Sequence, residues 1–249
     1  MMRRLLSCLL ACFILAAHAA EAQFPPAELT NLKVFPADVP VRELLDSMGG
    51  FTRALGVRCS YCHVGQQGQP LSSYDFASDE KPAKLKARVM MRMAAAINGE
   101  HLPRLAARRD PPIAVSCATC HRGVAEPRPL QQLVLAAYER GGVDSAEAAY
   151  RALRERYYGR AAYDFGEVAL ADVGAGLRER GRFADAVRIA VLNTGFSPNS
   201  GFAHRQAAES HLSAGDTASA VKALERALEI NAGDGQARGT LDEIRPKRQ

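Results

Sequence analysis

The apolar positions between residues 41 and 55 recur at the spacing of an α-helix, which predicts a helix with one apolar face. The apolar residues on that face are Val41, Leu44, Leu45, Met48, Phe51 and Leu55. Asp38 is the expected N-cap, and Gly56 is the expected end of the helix. Gly49 and Gly50 lie inside it, where each glycine costs about 1 kcal/mol relative to alanine. Interior glycines suggest that a flat group approaches the backbone there.

A second helix is predicted from about residue 78 to residue 97. Ser78 or Asp79 is the expected N-cap, and Asn98–Gly99 is the expected end. The segment contains three closely spaced methionines, Met90, Met91 and Met93.

After Leu130 the chain becomes rich in Ala, Arg, Glu and Leu, and a pattern recurs with a period of 34 residues. Gly174, Gly181 and Ala186 in one unit correspond to Ala208, Gly215 and Ala220 in the next. Small residues at this spacing resemble the tetratricopeptide repeat, and a third, degenerate unit is predicted at 141–153. The chain is therefore expected to be all-α, with tetratricopeptide-like helical repeats over residues 131–249.

The N-terminus has the pattern of a signal peptide. Met1–Arg4 is basic, Leu5–Ala17 is apolar, and Ala20-Glu21-Ala22 fits a signal-peptidase site. We expect residues 1–22 to be removed and the mature protein to be periplasmic or otherwise exported. The alternative is a lipid anchor at Cys12. An uncleaved membrane anchor is less favoured, because a spanning helix needs about 20 apolar residues.

Charge excludes one broad class of partner. The formal net charge is +5, without the basic runs and interleaved aromatic residues that are typical of a nucleic-acid surface. Residues 23–130 are expected to form one domain and residues 131–249 another.

The cysteines give the first domain its chemistry. Cys59 and Cys62 are followed by His63, and Cys117 and Cys120 are followed by His121; the other two cysteines lie within the first 22 residues. C-x-x-C-H is the pattern for attachment of c-type haem, in which both thiols bond the haem and the histidine binds iron. Two copies predict two covalently bound haem c groups. The alternatives are a structural zinc site and a thioredoxin-like C-x-x-C, which would require a βαβ context.

The sixth ligand of each iron decides what a haem can do, because a Met or His at that position favours electron transfer. After residue 22 the methionines are confined to the two predicted helices: Met48, Met90, Met91 and Met93. Core filling is the ordinary role of methionine, but this confinement favours ligation through sulfur. Met48 is the one candidate in its helix. The spacing does not choose between Met90 and Met91, and His101 is a further, less favoured ligand.

The segment from about residue 40 to residue 130 resembles the cytochrome c subunit of photosynthetic reaction centres. The resemblance rests on the helix–turn–C-x-x-C-H unit, on Ala87–Asn98 and on Cys117–Gly123. In that family a methionine in the helix before each motif is the usual sixth ligand. This implies Met48 for the first haem and Met90 for the second, with Met91 or Met93 as alternatives.

The resemblance also implies a function. Purple-bacterial members carry four haems and dock on the photosynthetic membrane complex, where they re-reduce the oxidised special pair. This chain has two motifs and adds helical repeats. We therefore expect an exported dihaem electron carrier, not an enzyme. Its partners would be redox proteins, among them a membrane electron-transfer or reaction-centre complex, docked through the repeats. The alternatives are a dihaem peroxidase and a repeat-based scaffold with structural haems.

Overall fold

The computed structural model describes residues 23–106 and 110–245. The described residues form helices and loops, and no strand occurs among them apart from a single antiparallel bridge between Val64 and Asp75. The fold is all-α, as predicted, and 64% of the described residues are helical. The predicted signal peptide, including Cys12, lies outside the described residues.

The described helices follow in simple order along the chain. The α-helices are α1 (Val41–Leu55), α2 (Pro82–Ala96), α3 (Cys117–His121), α4 (Leu130–Tyr157), α5 (Glu167–Glu179), α6 (Phe183–Phe196), α7 (Gly201–Ser213), α8 (Thr217–Ile230) and α9 (Gly235–Ile244). Short 3₁₀ turns occur at Cys59–Tyr61, Leu71–Ser73 and Leu102–Arg104. In the part of the chain that the structure describes, no helix has the length and apolar character needed to cross a bilayer.

The chain divides into two compact units. The first comprises Met1–Gly49 and Arg58–His101, and the second comprises Gly50–Val57 and Leu102–Gln249. The first C-x-x-C-H motif therefore lies in the first unit, whereas the second motif lies in the same unit as the helical repeats. The division into functional domains at residue 130 stays a prediction.

Helix α1 has the predicted end but a different start. It begins at Val41, and the carbonyl of Pro40 accepts from the amide of Leu44 at 3.1 Å, so Asp38 is not its N-cap. Gly56 follows the last helical residue with φ +67°, a left-handed conformation that favours glycine.

Helix α2 differs from the prediction at both ends. It begins at Pro82, without a side-chain cap, so the prediction of Ser78 or Asp79 as N-cap was wrong. Proline suits this position because its missing N–H would have no partner there. Helical structure also does not end at Asn98–Gly99, as the sequence predicted. It continues as a π-helical turn over Ile97–His101, a form that often occurs near functional sites.

The helical repeats are present where the 34-residue pattern predicts them, as the pairs α5–α6 and α7–α8. The alanines at the helix contacts, Ala186, Ala208 and Ala220, are fully buried. Gly181 and Gly215 occupy the turns between the paired helices with φ +70° and +78°, where an L-residue would be strained.

A further helix pair precedes these repeats. Helix α4 is interrupted at Gly141 and Gly142, whose backbone angles are not helical, so it consists of two helical segments. Apolar side chains from both segments join one core with α5 and α6. A second core lies among α7, α8 and α9. The pair thus contains the predicted degenerate unit at 141–153 and begins earlier, at Leu130.

Candidate haem sites

The first motif forms a tight turn. Cys59–Tyr61 is a 3₁₀ turn, and the carbonyl of Cys59 accepts from the amides of Cys62 at 3.2 Å and of His63 at 3.0 Å. Residues three apart eclipse in this geometry, so the turn gathers the two cysteines. Both thiols are free. Burial raises the pKa of the Cys62 thiol, and the neighbouring Cys59 acts in the same direction.

His63 is held in an aromatic environment. Its ring meets the ring of Phe76 edge-on at a centroid distance of 5.0 Å, and Phe76 stacks on Tyr74 at 5.6 Å. Burial lowers the pKa of His63, and the ammonium group of Lys84 acts in the same direction. The imidazole is therefore favoured in its neutral form, which is the form that binds metals. Its buried Nδ1 has no hydrogen-bond partner among the described residues.

The loop that carries Phe76 is closed by two hydrogen bonds to backbone carbonyls. The amide of Asp75 donates to the carbonyl of Val64 at 2.9 Å, and the hydroxyl of Tyr74 donates to the carbonyl of Gln66 at 2.7 Å. A Cβ on Gly65 would lie 2.4 Å from the Tyr74 ring, so a larger residue does not fit there. The sequence pattern predicted only a loop in this region.

Two lysines at the start of α2 fasten the first motif and this loop. The Lys81 ammonium donates to the carbonyl of Ser60, inside the motif, at 3.0 Å. The Lys84 ammonium donates to the carbonyls of Phe76 at 2.8 Å, of Ala77 at 3.0 Å and of Ser78 at 2.8 Å. Lys84 thereby orders the segment that places Phe76 against His63.

A polar clasp, formed by Asn31, Asp79, Lys84 and Arg88, surrounds the same loop. Asp79 accepts from Arg88 at 2.8 Å and pairs with Lys84 at 3.2 Å. Asn31 donates to Asp79 at 2.9 Å, and its own carbonyl accepts from Arg88 at 3.0 Å. The hydrogen bonds from Arg88 and Lys84 lower the pKa of Asp79 to about 2. The sequence pattern assigned these charges to capping and the helix dipole, and it missed the clasp.

The methionines of α2 occupy different faces. Met90 and Met93 are exposed together with Leu85 and Val89, and the four form one apolar face. Met91 is half-buried and follows Lys84 and Arg88 at helical spacing, on the side that the clasp occupies. On α1, Met48 is half-buried and follows the exposed Val41 and Leu45 at the same helical spacing.

The first unit has almost no apolar core. Among its described residues, the buried apolar side chains are Val39 and Leu44, and α2 has no buried residue at all. Exposed apolar faces of this kind indicate a binding surface. These apolar faces, with the free thiols and the unpartnered Nδ1 of His63, fit a porphyrin attached at Cys59 and Cys62.

The second motif is helical. Cys117–His121 forms α3, and Ser116 caps it through a reciprocal arrangement with Thr119, whose hydroxyl accepts from the Ser116 amide at 2.9 Å. The helix ends at Arg122, which adopts a left-handed conformation with φ +50°, and Gly123 follows with φ +89°.

His121 is oriented by its backbone. It is buried, with 9% of its surface exposed, and its Nδ1 lies 2.9 Å from the carbonyl oxygen of Val124. Because a carbonyl only accepts, Nδ1 is the donor in this hydrogen bond, which leaves Nε2 as the nitrogen available to a metal. A hydrogen bond of this kind orients a histidine that binds a metal through its other nitrogen. This arrangement fits His121 as an iron ligand through Nε2.

The end of α1 contacts the turn after the second motif. The amide of Gly123 donates to the carbonyl of Ala54 at 2.8 Å. A Cβ on Gly56 would lie 2.1 Å from the carbonyl oxygen of Gly123, so only glycine fits. The sequence predicted Gly56 as a helix end, and nothing in the local pattern indicated this contact between segments far apart in the chain.

His101, the less favoured alternative ligand, lies exposed at the end of the π-helical turn. Within 23–106 and 110–245, no three His, Cys, Asp or Glu side chains converge closely enough to hold a metal ion.

An all-α chain with two C-x-x-C-H motifs and a helical repeat region has the features of a c-type cytochrome joined to tetratricopeptide-like repeats. The photosynthetic reaction centre cytochrome C subunit family matches residues 17–146, and the chain belongs to this family. Membership implies covalently bound haem c.

A curated relative supports the same class. Cytochrome c-554 from Chloroflexus aurantiacus is 41% identical over 68 residues, which cover 27% of this chain and 14% of the relative. The chain thus matches only a small part of that protein's length.

Solved structures resemble the chain only weakly. The first TPR domain of the human RPAP3 protein is 17% identical, with a TM-score of 0.34, and the match covers 46% of this chain and 86% of that one. MamA from Desulfovibrio magneticus RS-1 is 15% identical, with a TM-score of 0.34, over 65% and 82% of the two chains. Similarity at this level carries no functional information.

Proposed function

We propose that this protein is an exported c-type cytochrome that carries single electrons between redox partners through two covalently attached haems. The observation that carries the proposal is the pair of C-x-x-C-H motifs, each ending in a buried or half-buried histidine, in a chain of the reaction centre cytochrome family. A bound haem supplies a reversible one-electron iron couple.

The first haem would be attached to Cys59 and Cys62, with His63 and Met48 as iron ligands. The neutral state favoured for His63 and the half-buried position of Met48 support this assignment. The loop held by Lys84 keeps the His63 ring against Phe76, which would hold this ligand in one orientation.

The second haem would be attached to Cys117 and Cys120, with His121 as one ligand and Met90 as the other. The exposure of Met90 and Met93 supports either of them over Met91, which lies on the side of the polar clasp. The resemblance to the family ranks Met90 first. Ligation by histidine and methionine raises the reduction potential relative to two histidines, so we infer a comparatively high-potential carrier.

The repeats would dock a redox protein, because stacked helix pairs form extended binding surfaces. A membrane electron-transfer complex or a photosynthetic reaction centre is the partner that the family suggests. An electron carrier needs no substrate pocket, and its working surface is the exposed edge of each haem.

The mass of the purified protein and its haem content test the proposal. We expect two haems per chain, and the double variants Cys59→Ala/Cys62→Ala and Cys117→Ala/Cys120→Ala should each retain one. A wild-type chain with one haem or none would overturn the dihaem proposal. Rapid reaction with peroxide by a five-coordinate haem would replace the carrier with an enzyme.

The methionine ligands need a separate test. Met48→Ala and Met90→Ala should each abolish the iron–sulfur charge-transfer band of one haem, whereas Met91→Ala should leave both bands intact. Unchanged bands in Met48→Ala would show that Met48 is only a packing residue.

A further inference from the structure

A segment near the N-terminus, residues 24–33, contacts the loop between the first motif and α2. We call this segment the N-terminal strap. Two arginines of α2 hold its later end through backbone carbonyls. Arg88 donates to the carbonyl of Asn31 at 3.0 Å, and Arg92 donates to the carbonyl of Lys33 at 3.2 Å. The strap is therefore fastened to the same helix that fastens the loop.

Asn31 fixes the place where the strap crosses the loop. Its side-chain amide donates to the carbonyl of Ala77 at 2.5 Å and to the carboxylate of Asp79 at 2.9 Å. Its backbone is left-handed, with φ +59°, a conformation that asparagine adopts more readily than most L-residues. The strap thus has a defined path over the residues that follow Phe76.

Phe24, at the other end of the strap, packs on the ring that supports His63. The centroids of the Phe24 and Phe76 rings are 5.4 Å apart, and the Phe76 ring meets the His63 ring edge-on at 5.0 Å. Favourable aromatic pairs have centroids about 4.5–7 Å apart. Phe76 and His63 are both half-buried. The Phe24 ring therefore covers part of the Phe76 ring on the outside of the site, while His63 contacts the same ring from within.

The apolar residues around a ligating histidine affect the reduction potential of its iron, because they control access of water and the local dielectric. Oxidation adds a positive charge to the iron, and an apolar environment disfavours that charge. Phe24 excludes water from Phe76 and limits the movement of its ring. Loss of Phe24 would therefore loosen the support of His63 and favour the oxidised form of the first haem.

We propose that the N-terminal strap completes the first haem site, with Phe24 as a positioning residue that acts on His63 through Phe76. The inference rests on the proposed function, because it requires His63 to bind the iron of the first haem. It makes the potential of that haem depend on a residue far from the motif in sequence and close to the expected signal-peptidase site.

Redox titration of the full-length protein with a single haem tests the proposal. The variant Cys117→Ala/Cys120→Ala should hold only the first haem. In this background, Phe24→Ala should lower the equilibrium constant for reduction about threefold, which is about 28 mV at about 59 mV per tenfold change. The EPR g values of the ferric haem, which depend on the orientation of the axial ligands, should change as well. Phe24→Leu, which keeps an apolar side chain over Phe76, should restore most of the potential.

A second variant tests the strap without changing a ring or a charge. Asn31→Ala removes the two side-chain hydrogen bonds that fix the path of the strap, and it should shift the potential in the same direction as Phe24→Ala. Phe35→Ala is the matched control, because Phe35 is half-buried and has no ring contact among the described residues. It should leave the potential and the g values unchanged.

The outcomes separate this inference from the proposed function. If Phe24→Ala and Asn31→Ala leave the potential as Phe35→Ala does, the strap is only a packing element and the inference is overturned. A mature chain that begins after residue 24 would overturn it too. Haem content is measured separately. A protein that holds the first haem with an unchanged potential in these variants refutes only the inference, and a parent protein without the first haem refutes the proposed function.

Discussion

Gly56→Ala should weaken the second unit at the point where α1 meets the turn after the second motif. Two effects combine at this position. Gly56 has φ +67°, and a left-handed conformation costs an L-residue about 1–2 kcal/mol. In addition, the new methyl group would start 2.1 Å from the carbonyl oxygen of Gly123, and a backbone acceptor cannot rotate out of the way.

The backbone must therefore separate by about 1 Å to restore an ordinary carbon–oxygen contact. That movement would break the 2.8 Å hydrogen bond from Gly123 to Ala54, which contributes about 0.5–1.5 kcal/mol. We expect the variant to lose about 1.5–3.5 kcal/mol of stability in the second unit, the sum of these two effects. Denaturant unfolding of the holoprotein, followed by far-ultraviolet circular dichroism and by haem absorbance, measures this loss.

Gly123→Ala is the matched control. Gly123 has φ +89°, but no atom lies within 4 Å of its Cβ position. This variant should therefore show the conformational strain alone, about 1–2 kcal/mol. If Gly56→Ala is no more destabilising than Gly123→Ala, the close approach of the two segments does not constrain the protein, and the reasoning is refuted.

Three further predictions concern the polar clasp, the first haem and the repeats. Because the folded pKa of Asp79 is about 2, below its ordinary value of 3.8, the stability that its ion pairs provide is present above that ordinary value. This stability should be lost as the pH falls through about 2. In Asp79→Asn, the unfolding midpoint of the first unit, measured from neutral pH to about pH 2, should lack this part of its pH dependence. Lys84→Met removes a cation beside His63 and should lower the reduction potential of one haem in a redox titration, whereas Lys86→Met, on the exposed side of α2, should not. Leu224→Ala, at a side chain only 1% exposed, should cost about 2–5 kcal/mol of stability and lower the melting temperature of the repeats; an unchanged melting temperature would contradict this prediction.

The elements with a local signal were predicted well from the sequence. The end of α1 at Gly56 and the turns at Gly181 and Gly215 depend on left-handed backbone, which glycine marks directly. The helix contacts at Ala186 and Ala220 follow from a period that repeats along the chain. Each of these features is determined by residues close together in sequence.

The features that were missed depend on partners distant in sequence. Asp79 has the chemistry of an N-cap, but Arg88 and Lys84 compete for its carboxylate, and α2 begins after it. The close approach of Gly56 to Gly123 requires knowledge of which segments meet. Helical spacing places Met90 and Met91 on different faces, but packing is needed to show that Met91 lies on the side of the clasp.

The first unit buries few apolar side chains, and this affects the abundance of the protein in the cell. With Val39 and Leu44 as its described buried apolar residues, the unit gains little free energy from burial. A group that binds only the folded form supplies the missing stability, and a covalent attachment supplies it permanently. A chain that fails to receive its first haem would stay open to proteases while its repeats remain folded. The abundance of the protein would then depend on the supply of haem as well as on the rate of its synthesis.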